Sequence, residues 1–144
     1  MKKNKGGIFM VPKNLIERTF VFPEVYNATT KINREALTNV INTLTQNGAV
    51  ACPLCCYRGF DEYRDAINGL VNYTTIDTKF VVGTWTTYNP DTNELTVQID
   101  EELNSQIQDD DSITAIVRPR IIGVVREGVF YPDRIVTVDL IITN

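Results

Sequence analysis

Between positions 94 and 100 the sequence alternates strictly, with Leu95, Val97 and Ile99 set between Glu94, Thr96, Gln98 and Asp100. A period of two belongs to extended backbone, because successive side chains of a strand leave opposite faces. One face of this strand is therefore expected to be buried and the other solvated, which calls for a sheet with a core on at least one side. Upstream, residues 79–88 are rich in β-branched and aromatic side chains, and Asn89-Pro90-Asp91-Thr92-Asn93 between the two runs is turn chemistry. The pair reads as a β-hairpin, with Trp85 on it as a core or interface residue rather than a ligand platform.

Further strands are expected at residues 113–117, 120–126 and 135–143, with turns at Glu127-Gly128 and Tyr131-Pro132-Asp133. Pro119 cannot donate a ladder hydrogen bond and should mark a bulge or an edge. The last strand places Val136, Val138, Leu140 and Ile142 on one face and Thr137, Asp139 and Thr143 mostly on the other, so it reads as an integral sheet member.

Helical period appears earlier. Residues 33–47 carry Leu37, Val40, Ile41 and Leu44 on one stripe, with Asn33 suited to cap the first turn and Gly48 to follow the last. A second helix is expected over 60–71, with Tyr63, Ala66, Ile67 and Leu70 on one face and Gly69 weakening its end. The acidic stretch 101–112 has Leu103 and Ile107 spaced to anchor a helical turn or two. Residues 1–31 hold aromatics without helical spacing and read as an extended arm, its best strand at 19–22, either packed along the domain or gripping a neighbour.

The expected plan is a single α+β domain spanning 1–144: an arm (1–31), a helical segment of two helices (32–74), and a β-rich segment (75–144) forming a mostly antiparallel sheet of about five strands. A chain of 144 residues can bury a real core without disulfide or metal staples. Its longest apolar stretches, such as 135–142, are too short to span a membrane as a helix. The basic start, Lys2, Lys3 and Lys5, is followed by an apolar run at 8–11 cut short by Pro12 and Lys13, too brief for a secretory core, so no export is expected.

Composition narrows the chemistry. The chain has no histidine, which removes the commonest general base near neutral pH and the commonest zinc ligand. A net charge of -4 works against attachment to nucleic acid. There is no Gly-rich phosphate loop and no nucleophile elbow. No catalytic residue, cofactor, metal or small-molecule substrate is therefore expected.

Three local features bear on that expectation. Ala51-Cys52-Pro53-Leu54-Cys55-Cys56 contains a Cys-x-x-Cys spacing, and over this window it resembles thioredoxin-like redox proteins, in which Cys52 and Cys55 would be the redox pair. The helix expected at residue 60 starts too late to activate Cys52, no βαβ repeat follows, and a third Cys adjoins the second. The plainer expectation is three thiols acting as small apolar groups in a buried connection between two helices. Asp109-Asp110-Asp111 lacks the alternating ligands and central Gly of a calcium loop and reads as a solvated acidic loop. Arg118 and Arg120 share a strand face by their spacing and could meet such acidic groups on a neighbouring copy.

The basic start at residues 1–7, the Asn/Thr-rich hairpin at 85–97 and the plain body without an active site resemble small virion proteins of tailed bacteriophages, of the head-fibre and auxiliary-capsid kind, as in crAss-like phages. That resemblance implies a homo-oligomer seated on a capsid or other virion protein, assembled in the host cytoplasm. The interface would use Lys2, Lys3, Lys5, Phe9, Phe20, Phe22, Arg118 and Arg120. The rival readings are a cytoplasmic thiol-disulfide protein and a small bacterial protein-binding accessory module.

Overall fold

Asn33 accepts the backbone amide of Ala36 at 2.8 Å and opens helix α1 (Arg34–Thr45) in the computed structural model, which describes residues 14–144. The apolar stripe works as its spacing demands: Leu37 and Ile41 are buried, and Val40 and Leu44 pack against the same core. Gln46, Asn47 and Gly48 then take left-handed backbone in succession, at φ of 51°, 60° and 88°, and unwind the chain into the next strand.

The strands are β1 (Leu15–Val21), β2 (Val25–Asn27), β3 (Thr30–Ile32), β4 (Cys52–Arg58), β5 (Val81–Asn89), β6 (Glu94–Asp100), β7 (Thr114–Arg126) and β8 (Val129–Thr143). The remaining helices are α2 (Gly59–Ile67), α3 (Leu70–Thr74) and α4 (Glu101–Asp109). Among the described residues all eight strands belong to one mixed sheet, with β1, β6, β5, β4 and β8 side by side in that order. β7 covers one edge of β8 along its length. The other edge of β8 is shared by β4, parallel at Leu54 to Arg58, and by β3, parallel at Lys31 and Ile32. β3 and β4 thus run in the same direction, joined by α1, which packs on β8.

This overturns the expected plan of two helices followed by about five strands. The sheet begins at residue 15, not 79, and strands and helices alternate instead of segregating. The supposed arm supplies β1, paired with β6 over Leu15 to Val21, and the short ribbon β2–β3. Pro119 does lie on an edge, since β7 pairs with β8 alone and needs ladder bonds on one side only, and the strands expected at 113–117 and 120–126 are one strand that runs through it. The largest revision is β4. Cys52–Arg58 is not a connection between helices but a strand between β5 and β8, and its side chains are buried on both faces, so no alternation betrays it.

The expected helix over 60–71 is also broken. Asn68 is extended and Gly69 has φ 86°, so α2 stops at Ile67 and α3 restarts at Leu70 in a new direction. Leu70, expected on the buried face, is among the most exposed apolar side chains of the described residues.

The core has two parts, one on each side of the sheet. On the α1 side, Leu54 and Cys56 of β4, Val138, Leu140 and Ile142 of β8, Trp85 of β5 and the alternating residues of β6 pack together, with Leu103 and Ile107 of α4 joining them. On the other side Cys55, Tyr57 and Ile141 pack against Tyr63 of α2. The sheet curls enough to bring its outer strands β1 and β7 together, so Phe20, Val117 and Ile121 share the first core. Among the described residues no helix is long and apolar enough to cross a membrane.

Candidate functional site

The α2 side of the sheet carries the chain's most concentrated chemistry, and it starts from one arginine in β7. Arg120 is fully buried, and its planar guanidinium has five N–H donors that must all find partners away from water. They do. Nε and Nη2 grip the Asp139 carboxylate at 2.9 and 2.6 Å, Nη2 also reaches the Tyr57 hydroxyl at 3.1 Å, and Nη1 donates to the carbonyls of Tyr73 and Thr75 at 3.2 and 2.9 Å. Asp139 is equally buried, opposite Cys55 on β4.

Electrostatics follows from that geometry. Burial by itself would lower the Arg120 pKa, but the hydrogen bonds and charge of Asp139 outweigh it and hold the guanidinium protonated. Burial pushes the Asp139 carboxyl above its usual range, with Arg120 pulling against it. The same low-polarity surroundings push the Cys55 thiol up to about 12, with the Asp139 charge adding to the effect and Arg120 opposing it. Tyr73 is likewise pushed up to about 12, chiefly by burial.

The functional consequence lies one layer further out. By holding the Tyr73 and Thr75 carbonyls, Arg120 fastens the C-terminal end of α3 to the sheet, and the Tyr73 hydroxyl adds a bond to the Ile121 carbonyl at 2.8 Å. α3 is thus fixed in place while its two leading residues, Leu70 and Val71, are each 76% exposed. α3 therefore presents two adjacent large apolar side chains to solvent on an anchored segment, and apolar surface of this kind is what a partner surface can cover.

The expected site residues scatter. Cys52 and Cys55 lie on opposite faces of β4, Cys52 in the α1-side core and Cys55 in the other. Three residues of strand separate their Cα atoms by about 10 Å, well beyond the span of a disulfide. All three thiols are buried, and Cys56 too is pushed up to about 12 by burial, so none has the depressed pKa of an attacking thiolate. Asp110 spends its carboxylate locally, accepting from the Ser112 amide at 2.9 Å and hydroxyl at 2.6 Å, which holds its pKa below the usual range. Among the described residues no three His, Cys, Asp or Glu side chains gather as a metal site.

Of the expected interface residues, Phe20 and Phe22 are core. Arg120 is consumed inside the fold and faces no neighbour. Arg118 is half-buried and donates to the Tyr26 carbonyl at 3.1 Å. Lys2, Lys3, Lys5 and Phe9 lie outside the described residues. What the sequence reading leaves unassigned is the role of Asp139, which the spacing places with Thr137 and Thr143 on the face of the last strand opposite Val138 and Leu140, and which is fully buried. Its signal was there: one carboxylate inside the apolar run 135–142, with an arginine on the neighbouring strand. The exposure of Leu70 and Val71 had a signal as well, in the Asn68-Gly69 pair directly before them.

No family model, no curated protein and no solved structure matches this chain.

Proposed function

We propose that this protein is a non-enzymatic structural component of a bacteriophage virion, assembling with copies of itself and seated on a capsid or other virion protein. The observation that carries the assembly half is the anchored pair Leu70 and Val71, adjacent in the chain and the most exposed large apolar side chains among the described residues. The virion half rests on the resemblance in layout and composition already described. The buried polar groups favour the same reading, since Arg120 and Asp139 satisfy each other and their neighbours and leave nothing directed at a substrate. Modest contacts repeated over a symmetric lattice suffice for such a role, so no catalytic group is required. The test is mass spectrometry of virions purified from the phage that encodes this chain. The proposal expects the protein as a stoichiometric virion component, and its presence only in the infected-cell lysate, never in virions, would overturn it.

A further inference from the structure

On the α2 side, the exposed tip of Leu70 and Val71 sits beside α2, whose Asp61 pairs with Arg64 and whose Glu62 and Asp65 leave it acidic within the helix, with Arg58 at its N-cap. On the α1 side, a cleft of about 230 Å³ opens between the β2–β3 ribbon and the first turn of α1. Its apolar lining comes from Pro23, Val25, Ile32 and Leu37. Its charge is the reverse of the tip's, with Lys31 and Arg34 against Glu24. Arg34 is held by Glu24 and by the Pro90 carbonyl at 3.0 and 2.9 Å, which keeps the cleft open and shaped. Lys31 makes no ion pair among the described residues.

We infer that the cleft of one copy receives the α3 tip of a second copy. Leu70 and Val71 would meet the apolar lining, and Lys31 would face Glu62 and Asp65 of α2, which make no ion pair among the described residues. Tip and cleft are different patches on opposite sides of the sheet, so one chain cannot satisfy both and two chains satisfy only one of each. Such a contact is heterologous and propagates head to tail, into a ring if the rotation closes and a filament if it does not. This inference rests on the reading of the protein as an assembling component and names the surfaces it uses.

Two surface variants of the full chain test it. Leu70→Asp with Val71→Asp destroys the tip and leaves the cleft, while Val25→Asp with Lys31→Glu destroys the cleft and leaves the tip. All four positions are exposed, so unfolding curves should match that of the unaltered protein. By sedimentation velocity, each variant alone is expected as a monomer, and an equal mixture is expected to form a heterodimer that grows no further, since only one complementary contact remains. Variants that assemble like the unaltered protein would overturn the inference while leaving the assembly reading intact. Monomeric variants whose mixture stays monomeric would overturn it too. An unaltered protein that is itself monomeric would overturn both.

Discussion

Arg120 bonds not to Thr137, its partner in the β7–β8 ladder, but diagonally to Asp139, the residue opposite Arg118. That diagonal brings the guanidinium beneath α3, where its remaining donors hold the Tyr73 and Thr75 carbonyls. One buried ion pair therefore ties together two strands and the helix that presents Leu70 and Val71.

Removing one partner should be costly. Asp139→Asn or Arg120→Met leaves a buried charge or several buried polar groups unpaired, with an expected loss of about 3–5 kcal/mol in urea unfolding. The double change Arg120→Met with Asp139→Leu should cost clearly less than the sum of the single changes, because it removes both charges together. Strict additivity would mean that the two residues act independently.

The thiols make stability sensitive to alkali. Cys55 and Cys56 move from an ordinary value of 9.0 to about 12 in the folded chain, so the folded state holds their protons more tightly than the unfolded state does. Their contribution is complete below pH 9 and is lost as pH rises from 9 towards 12, at about 1.4 kcal/mol per thiol per pH unit. Urea midpoints measured across that range should fall, and replacing both thiols by Ala should remove most of the fall between pH 9 and 10 and leave a shallower one above it, where the hydroxyls of Tyr57, Tyr63 and Tyr73, whose pKa values burial raises too, add their own loss. In the native protein at neutral pH a thiol reagent should label none of the three cysteines rapidly, and all three once urea is added.

Gly83 is required for a close approach within the sheet. A Cβ placed there would lie 2.0 Å from the Gln98 carbonyl oxygen, a backbone atom of the neighbouring strand that cannot rotate away. Gly83→Ala should therefore lose at least about 1–3 kcal/mol, the usual cost of overpacking. Gly48→Ala meets no neighbour and should cost only the strain of its left-handed backbone.

The last strand is central to the molecule. Ile135 to Ile142 is buried at every position, and β8 pairs with β7, β4 and β3. A chain ending after residue 134 should show no cooperative thermal transition, and a cooperative melt from that truncation would contradict the placement of β8 between three strands.

How much of this could be read from the sequence depends on what each segment faces. α1 and β6 were legible because each has one buried face, which imprints a period on the residues. β4 and the end of β8 were opaque or misread because both faces are buried, and the alternation disappears into a continuous apolar run. β1 reads as part of an arm because Arg18 interrupts its inward row of Ile16 and Phe20. The fold accommodates Arg18 by giving its guanidinium to the buried Asn104 side chain at 2.7 Å and stacking it over Phe20. The Cys-x-x-Cys spacing suggested a pair only while the backbone was unknown, since a strand sends those two side chains to opposite sides. The candidate site was the least legible part, because it depends on Arg120 and Asp139 meeting across a ladder whose register no local pattern reveals.

Sedimentation velocity of the unaltered full chain over the micromolar range tests the central claim, that the anchored Leu70–Val71 tip exists to be covered by a partner copy. The account predicts concentration-dependent species several times heavier than the 16.3 kDa chain. A single 16.3 kDa species at every concentration would contradict it.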